Sequence, residues 1–210
     1  MITLNYPFPG DRQAETLKQI DSIVQSGGIV VYPTETFYAI GGNALDNELG
    51  QRLSEIKKRP LDKPFPCLAG SLQVLDKLVS NWPEPALQLA DKYWPGALTM
   101  VLEGFKTLPK TILGEDDSVA VRWSPHPLIR DLAKLAQLPL ISTSANLSGQ
   151  TPTPKADQLD PQLLALSDLL IIANNQNPAP QPSTIIDVRV DPPILLRSGE
   201  LVIPGLLPEA

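Results

Sequence analysis

The chain has 210 residues and a formal net charge of −6, from 17 Lys and Arg against 23 Asp and Glu. This acidic balance argues against a broad nucleic-acid-binding face, and the lone Cys67 excludes an intramolecular disulfide. No apolar run approaches the roughly 18 residues of a membrane span, and the N-terminus lacks a basic region followed by an apolar stretch. We therefore expect a cytoplasmic protein without a signal peptide. Cys67 and His126 are too isolated to indicate a zinc site or a nucleophile pair.

Apolar spacing predicts alternating helices and strands. In chain order, the predicted elements are a helix over 11–26, a strand over 29–32, a helix ending near 56, a strand over 65–69, helices over 72–79 and from 85, strands over 98–102 and 119–122, a helix over 128–136, and strands over 139–141, 168–173, 184–188 and 194–197. Asp11 is the expected cap of the first helix and Gly27-Gly28 its end. The alternation implies one α/β domain over 1–210 with a mixed sheet, a core over about 10–203 and a short tail.

A cluster of positive charge follows the second predicted helix. Lys57, Lys58, Arg59 and Lys63 lie close together in an otherwise acidic chain. Because Pro60 cannot continue a helix, we expect the cluster where a helix ends and a loop begins. Concentrated positive charge indicates a local anion site. The alternative is a solvated helix end, where cations favour the carbonyl dipoles.

Hydrogen-bonding side chains recur where predicted strands end. They are Thr34, Arg122, Thr143, Ser144, Asn146, Ser183, Thr184 and Arg197. Hydroxyl, amide and guanidinium groups bind phosphate and carboxylate, and with the basic cluster they suit a triphosphate. The chain lacks both GxxxxGK[ST] and GxGxxG, so the familiar nucleotide folds are disfavoured. A serine-rich turn and surface ion pairs are the structural alternatives for these residues.

Short motifs contain these residues and follow one another along the chain. They are Pro33-Thr34-Glu35-Thr36-x-Tyr38, Lys57-x-Arg59-Pro60 with Asp62-Lys63-Pro64, Trp94-Pro95-Gly96-x-Leu98-Thr99, Val119-Ala120-Val121-Arg122, Ser142-Thr143-Ser144-Ala145-Asn146-x-Ser148-Gly149, Pro182-Ser183-Thr184-Ile185-Ile186-Asp187 and Leu195-Leu196-Arg197-x-Gly199. In this order, the motifs resemble the YrdC/TsaC family of threonylcarbamoyl-AMP synthases, and the resemblance spans about residues 20–200.

The resemblance implies a YrdC-like α/β fold: a twisted sheet of parallel and antiparallel strands, flanking helices and a concave, positively charged pocket. It also implies an L-threonylcarbamoyladenylate synthase. This nucleotidyltransferase forms threonylcarbamoyl-AMP and pyrophosphate from L-threonine, bicarbonate or CO2, and ATP. The product would pass to a separate tRNA-modifying transferase that acts on the adenosine next to the anticodon.

The same resemblance assigns roles to individual residues. Lys57 and Arg59 are the expected catalytic residues, both exposed to the pocket, so that replacing either with alanine should preserve the fold. The expected ATP-binding residues are Lys57, Arg59, Lys63, Ser144, Asn146 and Arg197. The expected threonine-binding residues are Thr34, Arg122, Thr143 and Ser183. Mg²⁺ is expected with ATP, held mainly by phosphate and water, so no residue is assigned as a metal ligand.

Two other functions on the same fold are alternatives to the synthase. One is a non-enzymatic RNA-binding or ribosome-maturation module, which needs a basic surface interleaved with aromatic residues. The other is a carbamoyl-transfer module of hydrogenase maturation. Because only 5% of the chain is aromatic and its net charge is negative, we expect no tight RNA binding.

Overall fold

The computed structural model describes residues 1–60, 62–173 and 181–206, and its strands form two sheets. The strands are β1 (Ile2–Tyr6), β2 (Val30–Tyr32), β3 (Ala39–Gly41), β4 (Cys67–Ala69), β5 (Val79–Asn81), β6 (Leu98–Gly104), β7 (Ser118–Trp123), β8 (Leu140–Ile141), β9 (Thr143–Ser144), β10 (Leu169–Ala173), β11 (Thr184–Asp187) and β12 (Ile194–Arg197). The helices are α1 (Gln13–Gln25), α2 (Asn47–Lys57), α3 (Leu72–Leu75), α4 (Glu84–Tyr93), α5 (Pro127–Ala136) and α6 (Pro161–Ala165), with a 3₁₀ turn at Ala156–Gln158.

Both sheets contain parallel and antiparallel pairs. The five-stranded sheet has the order β1-β10-β2-β3-β9, in which β1 and β2 run parallel to β10 and the remaining pairs are antiparallel. The seven-stranded sheet has the order β12-β11-β6-β7-β4-β8, with β5 pairing separately with β6. Its parallel pairs are β11 with β6 and β4 with β7. The predicted mixed α/β architecture is confirmed, whereas the division into two sheets has no counterpart in the sequence prediction.

Helices α1 and α5 pack together over strands of both sheets. Ile20 and Val24, one turn apart on α1, share a buried cluster with Leu128 and Leu132 of α5 and with Leu169 of β10. Residues four apart lie on one helix face, so this spacing turns both apolar faces towards the same strands. No helix within the described residues is long and apolar enough to cross a lipid bilayer.

The basic cluster lies at the C-terminal end of α2, as predicted. Asp46 caps the start of this helix by accepting hydrogen bonds from the backbone N–H groups of Glu48 and Leu49. The helix ends as Lys58 takes a left-handed conformation with φ of 50°, two residues before Pro60. The chain therefore changes direction within the cluster, and neighbouring cations point into different surroundings.

Two helix predictions need correction. The helix predicted over 72–79 is only the single turn α3, and Val79 instead begins β5, which pairs with the long strand β6. An available sheet edge satisfies the backbone there and overrides a helical apolar spacing. The first helix starts at Gln13 with Arg12 at its N-cap, so Asp11 does not cap it.

The chain ends contribute more to the fold than the sequence prediction allows. Ile2–Tyr6, outside the predicted core, form an edge strand that pairs with all of β10 in parallel register. Near the other end, the Thr184 hydroxyl donates a hydrogen bond to the Leu201 carbonyl at 2.6 Å. Ile203 and Leu206 pack against the main apolar cluster, so the described part of the predicted tail lies on the protein body.

Candidate active site

A cavity of about 580 Å³ lies where the two sheets meet. Strands β3 and β9 of one sheet line it together with β4, β6, β7, β11 and β12 of the other. Its volume falls within the range of about 300–1,000 Å³ typical of small-molecule sites. The polar residues that line it are Thr34, Thr36, Arg59, Thr99, Arg122, Ser142, Thr143, Ser144, Ser183 and Arg197.

The cavity floor follows from the pleat of the seven-stranded sheet. Thr99 and Val101 of β6 lie beside Ala120 and Arg122 of β7, and all of them line the cavity. The intervening Met100 is fully buried in the main apolar cluster. Successive side chains in a strand point to opposite faces. Alternate residues of these strands therefore present small and polar groups to the cavity, while the residues between them pack in the core.

Most of the predicted site residues meet at this cavity. Those that line it are Thr34, Arg59, Arg122, Thr143, Ser144, Ser183 and Arg197. They lie far apart in sequence and are brought together by strand ends and loops from both sheets. Lys57, Lys63 and Asn146 are not among the lining residues.

Arg122 points into the cavity from the end of β7 while bound to an acidic side chain. Its Nη1 donates a hydrogen bond to Oε1 of Glu35, and the hydroxyl of Ser124 donates to Oε2 of the same carboxylate at 2.7 Å. The Arg122 and Glu35 side chains are 9% and 18% exposed. A charge-assisted hydrogen bond between two side chains with so little solvent exposure fixes the orientation of the guanidinium.

Arg197 and Ser183 form a second polar group on the cavity wall. Arg197 Nη2 donates to the Ser183 carbonyl at 2.8 Å and to its hydroxyl at 3.1 Å. That hydroxyl also lies 2.8 Å from the hydroxyl of Thr99. Burial, and then the positive charge of Arg122, lower the pKa of Arg197. Both guanidiniums therefore lie close enough to repel each other, which makes this part of the cavity favourable for an anion.

The loop after β2 carries Thr34, whose hydroxyl orders the turn. It donates to the Phe37 carbonyl at 2.7 Å and accepts from the backbone N–H of Thr36 at 3.2 Å. Thr143 also lines the cavity, from β9, which pairs with β3. Two elements thus contribute hydroxyl groups to the lining of the cavity.

Lys57 is not exposed to the cavity, contrary to expectation. The residue is 4% exposed, and its ammonium donates to the backbone carbonyls of Ser144 at 2.5 Å and of Asn146 at 2.7 Å. The Ser148 hydroxyl in turn donates to the Lys57 carbonyl. Burial, with a smaller contribution from Arg59, lowers the pKa of Lys57 to about 8. The lysine thus binds the 144–148 loop directly.

Arg59, two residues later, lies at the cavity itself. Its Nε donates to the Lys63 carbonyl at 2.8 Å and its Nη2 to the Pro64 carbonyl at 2.9 Å. The guanidinium carbon lies 5.0 Å from the centroid of the Phe65 ring. Among the described residues, Nη1 has no acceptor, and the other contacts hold the positive group at the cavity wall, where it can bind an anion.

Lys63 and Asn146 lie beside the cavity rather than on its wall. Lys63 is exposed to solvent. The Asn146 Nδ2 donates to the carbonyls of Leu147 and Gln150, at 3.0 and 2.6 Å. Its buried Oδ1 has no hydrogen-bond partner among the described residues. Over the same residues, no His, Cys, Asp and Glu side chains form a group that could hold a metal ion.

Four residues at or beside the cavity were not predicted from sequence: Glu35, Thr36, Thr99 and Ser142. Glu35 lies between two threonines directly after a buried strand, where an acidic side chain needs a partner. That position is the signal that could have identified it. Thr99 occurs in one of the quoted motifs, and the period of two along β6 turns it to the same side as Val101.

Comparisons with known proteins agree with this architecture. The Sua5/YciO/YrdC family model, described as "Telomere recombination", matches residues 22–199. A protein named threonylcarbamoyl-AMP synthase from Pyrococcus abyssi is 36% identical over 178 residues, which is 85% of this chain and 52% of that protein. A protein of the same name from Stutzerimonas stutzeri is 33% identical over 192 residues, 90% of this chain and 97% of that protein.

A solved structure gives the same result in three dimensions. The crystal structure of P. abyssi Sua5 complexed with L-threonine has a TM-score of 0.85 and 32% sequence identity, covering 94% of this chain and 57% of that one. The chain thus spans just over half the length of the archaeal relative and nearly the full length of the bacterial one. Sequence, fold and cavity agree that this chain belongs to the Sua5/YciO/YrdC family.

Proposed function

We propose that this chain is an L-threonylcarbamoyladenylate synthase that acts in the cavity between the two sheets. The reaction joins L-threonine, bicarbonate or CO2, and ATP into threonylcarbamoyl-AMP and releases pyrophosphate. The observation that carries the proposal is the set of Arg59, Arg122 and Arg197 around one cavity with hydroxyl groups between them. The names of the bacterial and archaeal relatives support the same reaction.

The proposed chemistry needs positioning and charge more than an acid or a base. The amine of threonine takes up CO2 to form a carbamate and loses a proton to solvent. A carbamate oxygen then attacks the α-phosphorus of ATP, and the bond to the β-phosphate oxygen breaks to release pyrophosphate. Two anions must approach each other in this step, and fixed cations reduce their repulsion.

We assign each cation of the cavity to one of two substrates, ATP or threonine. Arg59 and Arg197 bind the phosphates, Ser144 contacts the nucleotide, and Lys63 reaches the phosphates from the solvent side. Lys57 acts through the 144–148 loop, because its ammonium is bound to the carbonyls of Ser144 and Asn146. Asn146 also acts through this loop, because its amide nitrogen donates to the carbonyls of Leu147 and Gln150 and so holds the loop beside the nucleotide.

Threonine lies beside Arg122 in this proposal. Arg122 binds its carboxylate, and Thr34, Thr143 and Ser183 surround its hydroxyl and amine. Mg²⁺ carried by ATP would neutralise charge on the triphosphate, and no described side chain is assigned to hold it. The product leaves as a small molecule for a separate tRNA-modifying transferase.

The direct test is pyrophosphate release by the purified chain. Release is expected only when ATP, L-threonine and bicarbonate are all present, and omitting any one should reduce it to background. Replacing threonine with valine, which lacks the hydroxyl, should lower kcat/KM by about 10- to 100-fold, the effect of leaving a buried polar group unpaired. Threonine-independent pyrophosphate release would reject the proposed reaction.

A further inference from the structure

We propose that Glu35 is a positioning residue that holds Arg122 in the orientation that binds the carboxylate of the amino-acid substrate. This inference rests on the proposed function and adds a residue that the sequence analysis did not assign. Glu35 acts through Arg122 and through its own loop, without touching the reacting atoms.

The first support is that both oxygens of the Glu35 carboxylate are occupied. Arg122 Nη1 donates to one, and the Ser124 hydroxyl donates to the other at 2.7 Å. Ser124 is itself held, since its Oγ accepts from the backbone N–H of His126 at 3.1 Å. The carboxylate therefore cannot rotate without losing a hydrogen bond, and its fixed orientation in turn fixes the guanidinium of Arg122.

The second support is the location of this contact between the two sheets. Glu35 lies in the loop between β2 and β3 of the five-stranded sheet, whereas Arg122 is the penultimate residue of β7 in the seven-stranded sheet. The same loop carries Thr34 and Thr36, which line the cavity. One carboxylate thus connects the loop on one wall to the guanidinium on the other.

The third support is the balance of charge. Arg122 and Arg197 both line the cavity, and the charge of Arg122 lowers the pKa of Arg197. Glu35 supplies a negative charge beside Arg122 and offsets this repulsion. Without it, the two guanidiniums would be driven apart whenever the cavity holds no anion.

The experiment compares substrate affinities of the wild type and Glu35→Gln by calorimetry, with threonine and ATP each titrated alone. Glutamine keeps the size of the side chain and removes its charge. We expect the Kd for threonine to rise by about 10- to 100-fold, the scale of a lost hydrogen bond to a charged group. The Kd for ATP should change by clearly less than the Kd for threonine, because Arg59 and Ser144 lie apart from this contact and, of the proposed phosphate-binding residues, only Arg197 is affected by the charge of Arg122.

A matched control is Asp187→Asn. Asp187 forms a partly buried ion pair with Arg189, with side chains 11% and 26% exposed, and it does not line the cavity. This variant should lower the melting temperature and leave the threonine Kd unchanged. It separates a general loss of stability from a loss of substrate positioning.

A double-mutant cycle tests whether Glu35 works through Arg122. If it does, adding Glu35→Gln to Arg122→Gln should cause little further loss of threonine affinity. Additive losses, unchanged threonine affinity in Glu35→Gln, or equal weakening of both substrates would each overturn the proposal. If Glu35→Gln does not fold, Glu35→Asp replaces it: the retained charge on a shorter arm should still weaken threonine selectively. A wild type that fails to bind threonine would instead reject the proposed function.

Discussion

Lys57 and Arg59 belong to one basic cluster, but their charges face different surroundings. Lys57 follows Leu49 and Leu53 at intervals of four, so it lies on the buried face of α2 and its ammonium meets backbone carbonyls. The left-handed Lys58 then ends the helix, and Arg59 emerges at the cavity. Cations that are neighbours in sequence can therefore have different roles when a helix ends between them: one stabilises the fold, and the other can bind a ligand.

Removal of the cation at the cavity should have the largest effect. Arg59→Ala should leave the protein folded and lower the rate of pyrophosphate release by about 10²-fold or more, as expected for one preorganised charge contact. Lys58→Ala, which changes an exposed neighbour, is the control and should have near-normal activity. A folded Arg59→Ala protein with normal turnover would place the ligand-binding charge elsewhere.

Removing the buried cation should act first on stability. Lys57→Met keeps the length of the side chain but leaves the carbonyls of Ser144 and Asn146 without their donor, so we expect the free energy of unfolding to fall by about 2–3 kcal/mol. Urea denaturation measures this, with the exposed Lys63→Met expected to change it by less than about 0.5 kcal/mol. Equal, small effects in both variants would mean that Lys57 does not stabilise the 144–148 loop.

The smallest expected effect is a dependence of stability on pH that comes from Lys57. Its pKa in the folded state is about 8, below its ordinary value of 10.5. The cost of burying the charge is therefore present below pH 8 and is relieved as the pH rises from 8 towards 10.5. The difference in unfolding free energy between the wild type and Lys57→Met should widen by about 1 kcal/mol from pH 7 to pH 9. A difference that stays constant would show that the lysine is not desolvated.

The parts of the fold with a sustained period could be predicted from sequence. The helices α1, α2 and α5 and the strands β6 and β7 lie within a few residues of their predicted bounds. Strands of two or three residues, such as β3 and β9, are too short to show a period, and they exist because a neighbouring strand supplies hydrogen bonds. The two-sheet arrangement depends on such pairings, so it could not be predicted from local sequence patterns.

The candidate site shows the same limit. Thr34, Arg122 and Ser183 were identifiable because hydrogen-bonding groups at strand ends are unusual in apolar surroundings. The burial of Lys57 could also have been predicted, since Lys57 lies on the apolar face of α2. The contact between Glu35 and Arg122 could not be predicted from sequence, because the two residues are 87 positions apart and only the packing of the two sheets brings them together.

The position of the cavity between the sheets also links binding to folding. Its walls include Thr34, early in the chain, and Arg197, on the final strand of the seven-stranded sheet. A partly folded chain therefore has no complete site, and substrates bind only the native state. By mass action, a ligand at 100 times its Kd should raise the free energy of unfolding by about 2.7 kcal/mol. Slower amide hydrogen exchange in both sheets on adding ATP would reveal this linkage, whereas protection confined to one sheet would show that the two unfold independently.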